Sequence, residues 1–230
     1  MGQPNGCPKF TKKEIMMVLN LFEKLQSEVF LPKEAERAVK ILLYVDRKSY
    51  QKVKEIVETG KTASRILFLA NAVERGLPLD FILEGDESED ECVTKSIMDA
   101  LEQKVPKDII REMRRCELDA EAIRVIANRY RKGIPHKALR LAIKPHMDCQ
   151  QVKVIMDAVA HNTYEEAEVI SDPELDWYQM KTILKLYVYG LTVEEAKSII
   201  SPYNNCKRLM EMGHVLIYSR EQQAHKDQGC

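Results

Sequence analysis

Residues that break helices or favour sheet are scarce in this chain. Nine glycines, nine prolines and 7% aromatic side chains in 230 residues argue against a sheet-rich fold. Abundant Ala, Leu, Ile, Glu, Lys and Arg favour helix instead. No apolar run approaches the ~20 residues of a membrane span, and the polar start from Met1 to Lys13 has no signal-peptide core. A cytoplasmic protein is therefore expected. A net charge of -1 gives no global attraction to nucleic acid or acidic lipid. The six cysteines, Cys7, Cys92, Cys116, Cys149, Cys206 and Cys230, form no C-x-x-C pair and no Cys/His set at zinc spacing. Reduced thiols and no metal are the expectation.

What is present is a repeat. Short turns recur at Lys48-Ser49, Gly76-Leu77, Lys104-Val105, Gly133-Ile134, His161-Asn162, Gly190-Leu191 and Ser219-Arg220. Their second residues are 28, 28, 29, 28, 29 and 29 positions apart. One supersecondary unit is being reused. Counting back 4, 7, 8 and 11 residues from the second turn residue gives Val73, Ala70, Leu69 and Ile66 in one unit. The same columns hold Val45, Leu42, Ile41 and Ala38; Tyr130, Ala127, Ile126 and Ile123; Tyr187, Leu184, Ile183 and Met180; and Leu216, Gly213, Met212 and Leu209. This spacing marks one face of an α-helix.

After each turn stands Pro78, Pro106, Pro135, Thr163 or Thr192, residues suited to a helix start. A second helix of roughly nine to eleven residues is predicted there, with Ile82, Ile110, Leu139, Ala167 and Ala196 inward. Pro145, Pro173 and Pro202 stop it, and Asp119, Asp148, Asp176 and Asn205 cap the next long helix. Gly76, Gly133 and Gly190 fall where the long helix must end in a left-handed residue.

A lone hairpin of this size buries too little apolar surface to offset its chain entropy, so the units must stack. The expected fold is all-α, an α-solenoid of about seven stacked helix-turn-helix repeats of 28–29 residues. Residues 1–11 are expected to be flexible, 12–220 to form one solenoid domain opened by a capping helix over 12–30, and 221–230 to be a disordered tail.

Ser171-Asp-Pro-Glu-Leu-Asp-Trp-Tyr-Gln-Met-Lys-Thr-Ile183, with Tyr189-Gly-Leu-Thr-Val-Glu-Glu-Ala196 after it, resembles the short helical repeats of HEAT-like proteins from mobile elements of gut-dwelling Firmicutes. Those repeats alternate a D-P-x-[FL]-D-x-x-Q-M-x-x-I helix start with a G-L turn. The likeness is good in this unit and partial in those starting at Asp119 and Asp148. It implies a helical-repeat fold and a bacterial, mobile-element setting, and it transfers no site residue.

No phosphate-binding, zinc-protease or nucleophile-elbow motif occurs, and the five histidines fall at different columns of the repeat. His161 reads as a helix-ending polar residue. The acidic run from Glu84 to Glu91 lacks the alternating ligands of an EF-hand loop and reads as a solvated connection. No catalytic residue, cofactor or small-molecule substrate is expected.

Charge is nevertheless segregated. Lys104 to Lys144 carries twelve Lys/Arg and five Asp/Glu, whereas Val154 to Met180 has seven acids and no Lys or Arg. Arg111, Arg114 and Arg115 belong to one short helix, and Lys137, Arg140 and Lys144 to the next. Equivalent helices of a solenoid lie ~10 Å apart, which would make these six one basic ridge with Arg129, Arg131 and Lys132 at its margin. The competing reading is a solvated face that keeps the array soluble.

The expectation is a non-enzymatic protein-binding solenoid facing an acidic protein surface. In a mobile-element setting it would be an adaptor, or an inhibitor of a host or defence complex such as a CRISPR effector. The alternative is a helical-repeat protein holding a nucleic-acid backbone on the same ridge. Aromatic residues among the basic ones would favour single strands, and Tyr130 is the only one there.

Overall fold

The computed structural model describes Leu69, Asn71, Ala72, residues 75–85 and residues 89–228. The expected flexible start, the capping helix over 12–30, the Lys48-Ser49 turn, the columns at Ala38, Ile41, Leu42, Val45, Ile66, Ala70 and Val73, and both Cys7 and Cys230 lie outside these residues. The chain divides into two compact units, residues 1–91 and 92–230, where the sequence predicts one domain over 12–220.

Every element among the described residues is helical. In the first unit α1 spans Leu79–Leu83, entered from Pro78, and buries Leu79, Phe81 and Ile82. The second unit begins within α2 (Glu91–Glu102) and continues through α3 (Lys107–Arg115), α4 (Ala120–Arg131) and α5 (His136–Leu139), to which a 3-10 turn, Arg140–Ala142, is joined. It then runs through α6 (Cys149–His161), α7 (Tyr164–Ile170), α8 (Trp177–Val188), α9 (Val193–Ile199) and α10 (Cys206–Gln228). Long and short helices alternate as the repeat predicts. The long helices pack in chain order, α4 on α6, α6 on α8 and α8 on α10, while short α7 packs on short α9.

Local chemistry sets the boundaries. Pro106, Pro135, Thr163 and Thr192 are the N-cap residues of α3, α5, α7 and α9. Thr163 and Thr192 each form a capping box with the glutamate three residues on, Glu166 and Glu195. Asp119, Asp148 and Asp176 cap α4, α6 and α8 through their carboxylates, and Asn205 accepts from the Arg208 amide at 2.9 Å at the head of α10. Short helix α3 has the predicted nine residues, but α7 and α9 hold only seven each, and α5 gives way to its 3-10 turn. Residues preceding Pro145, Pro173 and Pro202 are disfavoured in helical conformation, so each short helix stops before its proline.

Long helices end in one recurring closure. Leu77, Val105, Ile134 and Leu191 each donate their amide to the carbonyl five residues back, on Ala72, Ala100, Arg129 and Leu186. The residue before each must then be left-handed: Gly76, Gly133 and Gly190 have φ of 65, 87 and 95°, and Lys104 takes 61° in its unit. The α6 turn departs from this. Fifteen positions separate the caps Asp148 and Thr163, against sixteen for Asp176 and Thr192. The missing residue is the left-handed one. Asn162 is extended, at φ -117°, and its amide reaches only four residues back, to Ala158. His161 ends α6 with Nδ1 2.9 Å from the Asp157 carbonyl, the helix-ending role expected of it.

Most residues of the predicted core columns are buried, while Tyr130, Leu184, Met212 and Leu216 are half-buried. Ile123, Ile126, Met180 and Ile183 are fully enclosed, as are all five short-helix residues Ile82, Ile110, Leu139, Ala167 and Ala196. Two buried glutamines then join one unit to the next. Gln151 and Gln179 stand at the third position of α6 and α8, where each side-chain oxygen accepts from the amide of its N-cap aspartate. The Gln151 amide donates to the Pro173 and Leu175 carbonyls at 3.0 and 2.7 Å, and that of Gln179 to Pro202 and Asn204 at 3.1 and 2.8 Å. One side chain thus closes its own helix start and grips the loop leading into the next long helix.

The C-terminal end corrects the expected disordered tail. Helix α10 continues through residues 221–228 because the stop signals are missing. Ser219 stands where Gly190 ends α8, Glu221 where Thr192 starts α9, and His225 where Ala196 is buried.

Candidate interaction surfaces

Several of the basic residues predicted to form a ridge are used to tie repeats together. Arg140 lies across α3: its Nε is 3.1 and 2.9 Å from the two Glu112 carboxylate oxygens, and Nη2 is 2.9 Å from Asp108. Arg129 pairs with Asp157 on the next long helix. Lys144 donates to the Ser171 carbonyl, while the Ser171 hydroxyl donates to Leu141. Lys137 sits 4.1 Å above the Tyr164 ring, a cation–π contact with the start of α7. Exposed pairs of this kind contribute about 0–1 kcal/mol each, so their main effect is to fix register.

Arg111 is exposed and Arg114 half-buried on α3. Arg115, Arg131 and Lys132 are exposed, and their side chains have no ionic or hydrogen-bonding partner among the described residues. Of the nine predicted residues, Arg129, Lys137, Arg140 and Lys144 are therefore spent on neighbouring repeats, while Arg115, Arg131 and Lys132 are turned to solvent. Arg140 and Glu112, like Arg129 and Asp157, are 28 positions apart, one repeat length.

A second set of cations was not singled out from sequence. Arg124, Lys153 and Lys181 occupy the fifth position after the N-cap of α4, α6 and α8, three long helices packed in order. Their solvent side also carries Arg131 and Lys132 on α4 and Lys185 on α8. Lys153 pairs with Glu121 one repeat back, and this contact holds the Glu121 carboxyl below its ordinary value. Cys149, beside the same carboxylate, is pushed up by burial and then by the negative charge, so it is a poor thiolate.

Exposed aromatics were likewise missed. Tyr178, Tyr189, Tyr203 and Tyr218 all lie in the last two units, outside the basic segment in which aromatics were sought. Tyr189 and Tyr218 occupy the same column, two positions before the second turn residue. The Tyr189 ring is 5.4 Å from that of His214, and Lys185 lies 5.7 Å from its centroid. Tyr187 is buried instead; its hydroxyl has no partner, and burial raises its phenol.

Glu195 is the most tightly held acid of the last unit. Burial alone would raise it, but the Thr192 amide and hydroxyl and the Arg220 guanidinium outweigh that, and the carboxyl is lowered from 4.5. Because the folded value is depressed, this stability is present above the unfolded value and is lost as pH falls through the folded one. A thermal melt series from about pH 6 to about pH 3 should show a smaller decline in Glu195→Gln than in the parent. Equal declines would remove Glu195 from the acid response.

No group of three or more His, Cys, Asp or Glu suited to a metal ion occurs among the described residues, and no helix among them is long and apolar enough to cross a membrane. Comparison with known proteins gives no match: no family model fits the chain, and neither the curated proteins nor the solved structures returned a similar one.

Proposed function

We propose that the chain is an α-solenoid of about seven stacked repeats that binds another protein, as an adaptor or an inhibitor, through the cationic solvent side of its long helices. The observation that carries this reading is the shared column of Arg124, Lys153 and Lys181 on three successively packed helices. Packed helices are ~10 Å apart, so Arg124 and Lys181 stand about two helix spacings apart toward an acidic surface, with Lys153 between them paired to Glu121. Arg131 and Lys132 add charge that no described residue neutralises. The core columns stay apolar from unit to unit while the solvent columns change, as expected of a repeat scaffold whose specificity lies on its surface. Such charge steers encounter and fixes orientation more than it supplies affinity.

The test reverses Arg124, Arg131 and Lys132 to glutamate, none of which bridges two repeats, and leaves Arg140 and Arg129 in place. In a pull-down from the native host, the parent should retain a partner at about 100 mM salt that the triple variant loses at least tenfold. A partner held equally by both would leave the column a solvated face. Gel shift at low salt discriminates the nucleic-acid alternative. No retardation is expected, whereas salt-sensitive, sequence-indifferent retardation would favour that reading.

A further inference from the structure

Helix α8 and its C-cap turn aromatic and cationic side chains to solvent on a single face. Tyr178, Lys181, Lys185 and Tyr189 stand 3, 4 and 4 positions apart, the spacing of one helical stripe, and all four are exposed. Val188 flanks them at 80% exposure. Aromatic rings hold the lysines in place: Nζ of Lys181 is 4.5 Å from the Trp177 ring centroid, and that of Lys185 is 5.7 Å from the Tyr189 centroid. Trp177 is also stacked on Tyr178 at 3.6 Å, and Tyr189 meets the His214 ring of α10 at 5.4 Å. Neither lysine has an ionic or hydrogen-bonding partner for its ammonium among the described residues. Ordering a free lysine on binding costs side-chain entropy, and the ring contacts have removed part of that cost beforehand.

We propose that this face binds an extended acidic peptide segment of the protein partner, an inference that rests on the protein-binding reading above. Charge complementarity selects the occupant. Side chains one helical turn apart have Cβ atoms about 5–6 Å apart, and alternate residues of an extended chain are about 6–7 Å apart. Carboxylates at positions i and i+2 of such a segment therefore reach Lys181 and Lys185 together. From Tyr178 to Tyr189 the helix rises about 16 Å, the length of about five extended residues, which sets the two tyrosines at the ends of the segment. Their hydroxyls donate there to carboxylates or carbonyls, while the rings and Val188 cover apolar side chains, as tyrosine does at protein interfaces. Single-stranded nucleic acid fits this face less well. Trp177 and Tyr189 are each engaged twice already, and a base stacking on either would have to displace a lysine. The acids that precede α8, Glu174 and Asp176, lie before the face begins, and the Asp176 carboxylate is engaged with the Gln179 amide at 2.8 Å.

Fluorescence anisotropy of a labelled octapeptide of alternating glutamate and threonine, titrated with the full chain, tests the proposal. Saturable binding is expected on the order of 100 μM, and none for the same peptide with lysine in place of glutamate. Lys181→Glu with Lys185→Glu should weaken binding at least tenfold, and Tyr178→Ala with Tyr189→Ala about fivefold. Helical circular dichroism should stay unchanged in both variants, because all four side chains are exposed. Absence of binding at about 1 mM chain, or equal binding by the double-lysine variant, overturns the proposal. So does tighter binding of a labelled oligothymidylate that the double-lysine variant loses, which would give the face to single strands. The variant reversed at Arg124, Arg131 and Lys132 should bind the peptide as the parent does. A peptide that fails while the pull-down partner still depends on those three residues sinks this inference alone. Peptide binding together with a pull-down partner indifferent to them sinks the column and leaves the α8 face standing.

Discussion

Replacing Gln179 with leucine lowers stability by roughly 3–5 kcal/mol, although the two side chains are similar in size. Gln179 is 4% exposed. Its oxygen accepts from the Asp176 amide at 2.7 Å, and its nitrogen donates to the carbonyls of Pro202 and Asn204. Leucine removes all three bonds and leaves the part-buried Asp176 amide and the Pro202 and Asn204 carbonyls without their side-chain partner. Three hydrogen bonds at about 0.5–1.5 kcal/mol each, with a further cost for the opposing groups left without a partner, set the size of the loss. Chemical denaturation followed by circular dichroism measures it. A change below about 1 kcal/mol would mean that water replaces the amide and that the glutamine does not join the units. Gln179→Glu serves as a control: the carboxylate keeps the acceptor and loses both donors, so it should also destabilise at neutral pH and recover partly on acidification.

A large side chain at Gly213 has an effect of similar size by a different route. A Cβ at this position falls 2.6 Å from both methyl carbons of Leu186 and 3.1 Å from its Cγ. Leu186 is fully buried, so its methyls cannot swing into solvent. Alanine would gain about 1 kcal/mol of helix propensity over glycine, but overpacking costs about 1–3 kcal/mol, and a net loss is expected. Gly213→Leu should lose roughly 3 kcal/mol or more. A double-mutant cycle with Leu186→Ala supplies the check. Trimming Leu186 should make Gly213→Ala neutral or stabilising, and additive losses would place the strain elsewhere. Glycine in mid-helix thus has a packing reason here: it lets α10 approach α8 closely.

Element boundaries were legible in the sequence because each has a local cause. Thr192 with Glu195, Asp176 with Gln179, and Gly190 before Leu191 act within a few residues, so their patterns survive without tertiary information. Burial of Ala167 and Ala196 followed from helical period alone. The extension of α10 was legible in principle, since Ser219, Glu221 and His225 are the wrong residues for a turn and a short helix. The roles of the charges were not. Whether Arg140 faces a partner molecule or Glu112 depends on how two hairpins are set against each other, and charge counts treat both cases alike. Gln151 and Gln179 were not singled out from sequence; their capping-box role is local, whereas gripping the following loop needs the stacked geometry. Tyr189 and Tyr218 were passed over because aromatics were sought among the basic residues.

The joints between repeats are not of one kind. Where α6 and α8 have a glutamine at the third position, α4 has Ala122, and its junction with α6 relies on Arg129 with Asp157 and Lys153 with Glu121. Neutral amides held to buried carbonyls are indifferent to ionic strength, and exposed ion pairs are not. The array is therefore graded in its response to its surroundings: raised salt screens the small contribution of each α4–α6 ion pair and leaves the glutamine bonds of the later junctions unaffected.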